Sequence, residues 1–289
     1  MKRSKTLCKI ISKDYLTDDI VSIRFESPDI AASAVAGQFV SVYTDSSSEL
    51  LPRPISICDV EPDKGLVRIV FRIVGKGTAM FSEKKEGDYL QIIGPLGNGY
   101  SEAVASLPDN SNVIITGGGI GIPPMLGLAK SLNNGDLCDN KNCKINVVLG
   151  YRDILFLNEE FEQYGNVYIA SEDGKHGTKG NVIDAIMSGK TGNNASDEEN
   201  TSTVNPGIDI NNIDAIFACG PMPMLRGIKS FAEEHNIEAW ISLEEKMACG
   251  IGACLACVCN STDVDSHSMV HNKRICKDGP VFNAKEVDI

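Results

Sequence analysis

The chain has 289 residues, of which 42% are hydrophobic, 23% charged and 6% aromatic, and 27 Lys and Arg stand against 39 Asp and Glu for a formal charge of −12. The length exceeds what one hydrophobic core usually organises, so two domains, or two with a small appendage, are expected. A field of this sign repels phosphate backbones, and no apolar run is long enough to span a bilayer, so neither nucleic acid nor a membrane is expected as a partner.

At the start, Met1 to Thr6 is basic, but Lys9, Lys13 and Asp14 interrupt the segment behind it, so no secretory segment is expected and the predicted compartment is the cytoplasm. Residues 5 to about 100 hold short β-rich segments at 21–25, 38–43, 66–74 and 89–93, separated by turn signals, which predicts an antiparallel barrel or sandwich. From Asn112 the rhythm changes. A strand at 113–116 runs into a glycine cluster and a helix over 124–132, and further strands at 145–149, 167–170 and 213–218 predict a doubly wound parallel sheet. The stretch 189–212 is polar and too poor in apolar residues to bury anything, so it reads as a surface insertion. After Leu243 the chain becomes cysteine-rich. The predicted domains are therefore 1–104, 105–240 and 241–289.

Ten cysteines in a reducing compartment read first as metal ligands, not as disulfides. Cys249-Gly-Ile-Gly-Ala-Cys254-Leu-Ala-Cys257 has the C-x₄-C-x₂-C spacing of plant-type [2Fe–2S] ferredoxins, whose fourth ligand is a distant cysteine. Gly250 and Gly252 admit the tight wrapping that converging thiolates need. Cys259 and Cys276 are the candidates for the fourth place. Cys259 would duplicate the loop's own thiolates, whereas Cys276 suits a returning strand, so Cys276 is expected. A structural zinc site is the alternative, although zinc favours two tight cysteine knuckles. His267 and His271 lie in a polar loop, and Cys138 and Cys143 have no companions, so neither pair is expected to bind metal.

In Leu51-Pro52-Arg53-Pro54-Ile55-Ser56-Ile57 an arginine that can fork onto a pyrophosphate stands near a hydroxyl that can reach a ring nitrogen. Here the sequence resembles the ferredoxin-reductase-like flavoproteins, whose barrel carries an R-x-[YF]-[ST] flavin motif. Ile55 takes the place of the usual aromatic residue. The resemblance implies FAD on Arg53, Pro54, Ile55 and Ser56, with a second segment at Val70, Phe71 and Arg72 and a turn at Gly77 and Thr78. It also identifies Gly117-Gly118-Gly119-Ile120-Gly121 before Pro124 as a dinucleotide loop at a helix start, and Cys219-Gly220-Pro221 as its partner motif. These imply NAD on Gly117, Gly118, Gly119, Gly121, Gly220 and Pro221, with Cys219 near the nicotinamide. Tyr151-Arg152-Asp153 offers both a cation and an acid, so NAD is preferred to NADP on the resemblance alone.

The order of flavin barrel, dinucleotide domain and cysteine cluster, with Glu244-Glu245-Lys246-Met247-Ala248 before the first cysteine and Lys277-Asp278-Gly279-Pro280-Val281-Phe282 after the last, resembles one family closely. This is the electron-transfer subunits of NAD-linked, two-subunit dihydroorotate dehydrogenases. The resemblance implies FAD, NAD and a [2Fe–2S] cluster on Cys249, Cys254, Cys257 and Cys276. It further implies a partner subunit that oxidises dihydroorotate at FMN, two copies of each chain in a heterotetramer, and a place in pyrimidine biosynthesis. Flavin subunits of other complexes, such as ferredoxin:NADP oxidoreductases and sulfide dehydrogenases, share the first two domains. A zinc-stabilised binding module is the non-catalytic alternative.

Overall fold

Alternating apolar residues build the first strands of the computed structural model, which describes residues 5–137, 142–188, 207–264 and 269–289. In chain order these elements are β1 (Thr6–Tyr15), β2 (Ile20–Glu26), α1 (Pro28–Ser33), β3 (Phe39–Tyr43), β4 (Arg53–Glu61), β5 (Leu66–Arg72), α2 (Lys76–Glu83) and β6 (Tyr89–Leu96). The six strands close into a barrel of order β1-β2-β5-β4-β3-β6 with antiparallel neighbours. Closure removes the exposed edges that a sandwich would leave. Its interior is filled by one face of each strand, including Ile23, Phe25, Val40, Ile57, Ile69 and Ile92. β1 is hard to single out in the sequence because Lys9, Lys13 and Asp14 occupy its wetter positions.

Two helices depart from expectation. Gly75 to Thr78 does not form a plain turn but opens α2, because the Thr78 hydroxyl accepts the amides of Val74 and Gly75 at 3.0 and 3.2 Å. The helix expected over 124–132 begins earlier, at Ile122. Proline needs no amide donor in a first turn, so Pro123 and Pro124 sit inside it.

The chain continues through α3 (Ser101–Ala105), β7 (Asn112–Gly118), α4 (Ile122–Asn134), β8 (Lys144–Tyr151), α5 (Asn158–Phe161), β9 (Asn166–Ser171), β10 (Thr178–Lys179) and α6 (Val182–Ser188). Then come β11 (Ala215–Cys219), α7 (Met222–Glu234), β12 (Glu238–Ser242), β13 (Val258–Asn260), β14 (Asn272–Arg274), α8 (Ile275–Asp278) and β15 (Val281–Asn283). The second sheet has the order β10-β9-β8-β7-β11-β12-β15, and each neighbouring pair from β10 across to β11 is parallel. Chain order runs outward from β7 through β8, β9 and β10, then resumes on β7's other side at β11. That reversal makes the β7/β11 boundary the topological switch point, where open α/β sheets bind ligands.

The described chain divides into two compact units, Met1–Ser101 with Ser242–Phe282 and Glu286–Ile289, and Glu102–Ile241 with Asn283–Lys285. The cysteine-rich segment thus belongs to the barrel's unit. There Asn98 N donates to Gly279 O at 2.6 Å, and Asn98 Nδ2 donates to Asp278 O at 3.1 Å. Of the expected insertion, 189–206 lies outside the described residues, as do Cys138 and His267. No helix among the described residues is long and apolar enough to cross a membrane.

Candidate functional site

The cysteine loop is wound by left-handed backbone at Gly250, Gly252 and Leu255, with φ of 68°, 83° and 58°. This turns successive amides inward, and the sulfur of Cys249 accepts from Ile251 N at 3.5 Å and Ala253 N at 3.3 Å. Cys276 arrives by strand pairing. Val258 on β13 lies opposite Arg274 on β14, so the residue before β13 meets the residues after β14. Ile275 N donates to Cys257 O at 2.9 Å, and Cys276 N points to Cys257 Sγ at 3.4 Å. Gly252 N closes the arrangement by donating to Cys276 Sγ at 3.0 Å. Cys259, opposite Lys273 in the same ladder, directs its thiol to Lys273 O at 3.6 Å and is not part of this group.

The electrostatics are those of a thiolate donor set. Burial pushes the Cys249 thiol up, but the Ile251 and Cys254 amides, the Cys254 side chain and the Ala253 amide bring it down to about 6. Burial and the neighbouring Cys257 push Cys276 up to about 12. One thiolate is thus favoured, and another beside it is costly without a cation, which suits a metal-borne site. Cys254 acts on Cys249, and both Cys257 and Cys249 act on Cys276. Cys257 and Cys276 are buried while Cys254 is exposed, so one edge of the group faces outward.

On the barrel, Ile55 packs into the core, leaving Pro54 and Ser56 half-buried beside it. The Arg53 guanidinium is held by Glu49 and by Leu51 O. It lies against Gly77, where any Cβ would collide with Arg53 Nε. Gly77 and Thr78 stand in the first turn of α2, whose leading amides have no helical acceptor; Ala79 N is the first to find one, at Gly75 O, 2.9 Å. An arginine fork packed on a glycine beside the leading amides of a helix fits a pyrophosphate. Phe71 points into the barrel core, with its ring edge-on to Phe81 at 6.0 Å. Arg72 Nε lies 3.1 Å from Asp19 Oδ2 yet out of line for a hydrogen bond, so this buried donor lacks an acceptor among the described residues.

In the other unit, β7 ends in the triple glycine and β11 in Cys219-Gly220-Pro221, and the two ends are register neighbours, Gly117 opposite Cys219. A Cβ on Gly118 would stand 2.5 Å from Met224 Sδ, and one on Gly121 would strike the backbone carbonyl of Cys219. Gly119 has φ 53° and open space around its Cα. The loop therefore offers bare backbone at a helix start, as a dinucleotide pyrophosphate requires. Cys219 is wholly buried, at 0% exposure. Arg152 and Asp153 are both exposed after β8, while Tyr151 is tied inward by its hydroxyl to Phe156 O at 2.8 Å. Sequence reasoning missed two hydroxyls, Ser41 Oγ and Thr116 Oγ1, both buried and without partners among the described residues. Thr116 directly precedes Gly117, and its polarity within an apolar strand was the available signal.

Comparison with known proteins agrees with this layout. Residues 7–100 match the family described as the oxidoreductase FAD-binding domain, and residues 244–288 match the iron–sulfur cluster binding domain of dihydroorotate dehydrogenase B. The chain is 39% identical over 255 residues to the dihydroorotate dehydrogenase B (NAD⁺) electron transfer subunit of Geobacillus kaustophilus (strain HTA426), covering 87% of this chain and 86% of that one. It is 34% identical to the corresponding subunit of Fusobacterium nucleatum subsp. nucleatum over 285 residues, 98% of each chain. Among solved structures, an NADH-dependent reduced ferredoxin–NADP oxidoreductase aligns with a TM-score of 0.77 at 29% identity, covering 99% of this chain and 91% of that one. The chain belongs to the family of electron-transfer subunits of NAD⁺-linked dihydroorotate dehydrogenase B.

Proposed function

We propose that this chain carries electrons from the FMN of a dihydroorotate-oxidising partner subunit to NAD⁺, serving de novo synthesis of UMP. The observation that supports the reading is the joining of the cysteine loop to the segment bearing Cys276, through Gly252 N to Cys276 Sγ and Cys276 N to Cys257 Sγ, within the unit that also holds the flavin motif. A bound [2Fe–2S] cluster supplies one-electron transfer, and FAD supplies the exchange between single electrons and hydride. The chain's own residues do the rest. Arg53 and the amides of Gly77 and Thr78 hold the pyrophosphate, Ser56 hydrogen-bonds the ring, and Gly117, Gly118, Gly119, Gly121, Gly220 and Pro221 bed the NAD.

Ile251 and Leu255, 47% and 55% exposed, flank the outward-facing Cys254. An apolar rim around the exposed edge of the cysteine group is suited to a partner that must come close for electron transfer. The assembly proposed is two copies of each subunit in the cytoplasm. NAD⁺ is preferred to NADP⁺ because the relatives carry it in their names. The test is to co-purify the chain with a candidate FMN subunit and follow dihydroorotate-dependent NAD⁺ reduction. A competent flavin- and iron-loaded complex without that activity overturns the substrate assignment. The likeness to the reduced ferredoxin–NADP oxidoreductase supports a second reading, and activity with reduced ferredoxin and NADP⁺ in the same assay would favour it.

A further inference from the structure

β3 alternates between the barrel interior, where Val40 and Val42 join the core, and an outer face that bears Ser41. In a register of this kind a serine on the outer face is ordinarily wetted. Ser41 is instead 1% exposed, and its hydroxyl has no hydrogen-bond partner among the described residues. Two neighbours define its surroundings. Across β4 it pairs with Pro54, inside the flavin motif. Above it lies the cysteine loop, for a Cβ on Gly250 would meet Ser41 Oγ at 2.7 Å before any other atom. Gly250 directly follows Cys249, and its φ of 68° lets the loop lie flat on this strand.

A buried hydroxyl with no acceptor is costly, and the cost is relieved when an acceptor arrives. The group that the cysteine loop is built to hold brings anionic sulfur to this face. We infer that Ser41 is a positioning residue whose hydroxyl donates to a sulfur of the cluster bound by the Cys249 loop, linking the flavin strand to the cluster by one hydrogen bond. This rests on the functional reading above. A donor to sulfur stabilises the more negative, reduced cluster and so raises its potential.

The test is an EPR-monitored redox titration of the complex as purified, comparing wild type with Ser41→Ala and Ser41→Thr. Ser41→Ala is expected to lower the reduced-to-oxidised ratio of the cluster at fixed ambient potential by about three- to tenfold, the range of one net hydrogen bond. Tenfold corresponds to about 59 mV for one electron. Ser41→Thr keeps the hydroxyl and is expected to restore the wild-type value, and the flavin transitions should not move. A cluster potential and spectrum unchanged in Ser41→Ala overturns the inference alone. So does a shift confined to the flavin, which would place the acceptor there. A wild-type chain that takes up no iron and acid-labile sulfide overturns both this inference and the reading beneath it.

Discussion

The amide of Gly252 donates to the sulfur of Cys276 at 3.0 Å, joining residues that stand 24 apart in the chain. The cysteine loop and the returning segment thereby hold one another before any metal is considered. Cys276→Ser is expected to lose most of its iron and acid-labile sulfide, because no other thiol among the described residues stands in that place. Cys259→Ser should keep a full complement, since the Cys259 thiol is directed to Lys273 O. Iron and sulfide assays on both variants decide between them.

Gly250 has both a left-handed backbone and a neighbour where its Cβ would be. Gly250→Ala is expected to destabilise the loop by about 1–2 kcal/mol from the backbone alone, with further loss from displacement of Ser41. Thermal melting of the iron-loaded chain, read at the cluster's visible bands, would reveal it.

Arg53 is the charged member of the flavin motif, and a charge-assisted hydrogen bond is worth about 1.5–3 kcal/mol. Arg53→Ala should therefore weaken FAD binding by roughly 10- to 100-fold. Gly77→Ala is expected to act in the same direction, because its Cβ displaces the same guanidinium. Fluorescence titration of the flavin-free chain with FAD measures both effects, and unchanged affinity in Arg53→Ala would remove the arginine from the site.

The dinucleotide loop separates two kinds of crowding. A side chain on Gly118 would meet the flexible end of Met224, whereas one on Gly121 would meet the carbonyl of Cys219, which cannot yield. Gly121→Ala is accordingly expected to raise KM for NADH by on the order of tenfold, equivalent to about 1.4 kcal/mol. Gly118→Ala should do so by distinctly less. Steady-state diaphorase kinetics with an artificial acceptor compares them without the partner subunit.

Asp278 braces the turn that carries Cys276, accepting from Arg274 Nε, Nη2 and N at 2.9, 3.0 and 2.8 Å. Burial works against its charge, but the Arg274 side chain and amide outweigh it and hold the carboxyl below its ordinary value. A carboxylate lowered on folding contributes stability above its unfolded pKa and loses it as pH falls through the folded one. The melting-temperature gap between wild type and Asp278→Asn should hence be widest near neutrality and close below roughly pH 4. A gap that persisted into acid would mean that shape, and not charge, supports the turn.

Sequence alone determined the elements whose chemistry is local. The C-x₄-C-x₂-C spacing with glycines at 250 and 252, the glycine run before Pro124 and the alternation of the barrel strands each encode a short-range demand on backbone and burial, and such demands are visible within a window of ten residues. What tertiary structure decided depends on partners far away in the chain. Position in the chain already favoured Cys276 over Cys259; how Cys276 returns to the loop was decided by the β13–β14 register, which brings Ile275 N onto Cys257 O. The side to which Ile55 turns was settled by closure of the barrel, and the meeting of Gly117 with Cys219 by the parallel pairing of β7 and β11. Ser41 looked like any strand serine until the cysteine loop was laid over it. Long-range pairing is set by the sum of many weak contacts, and no single residue carries its address.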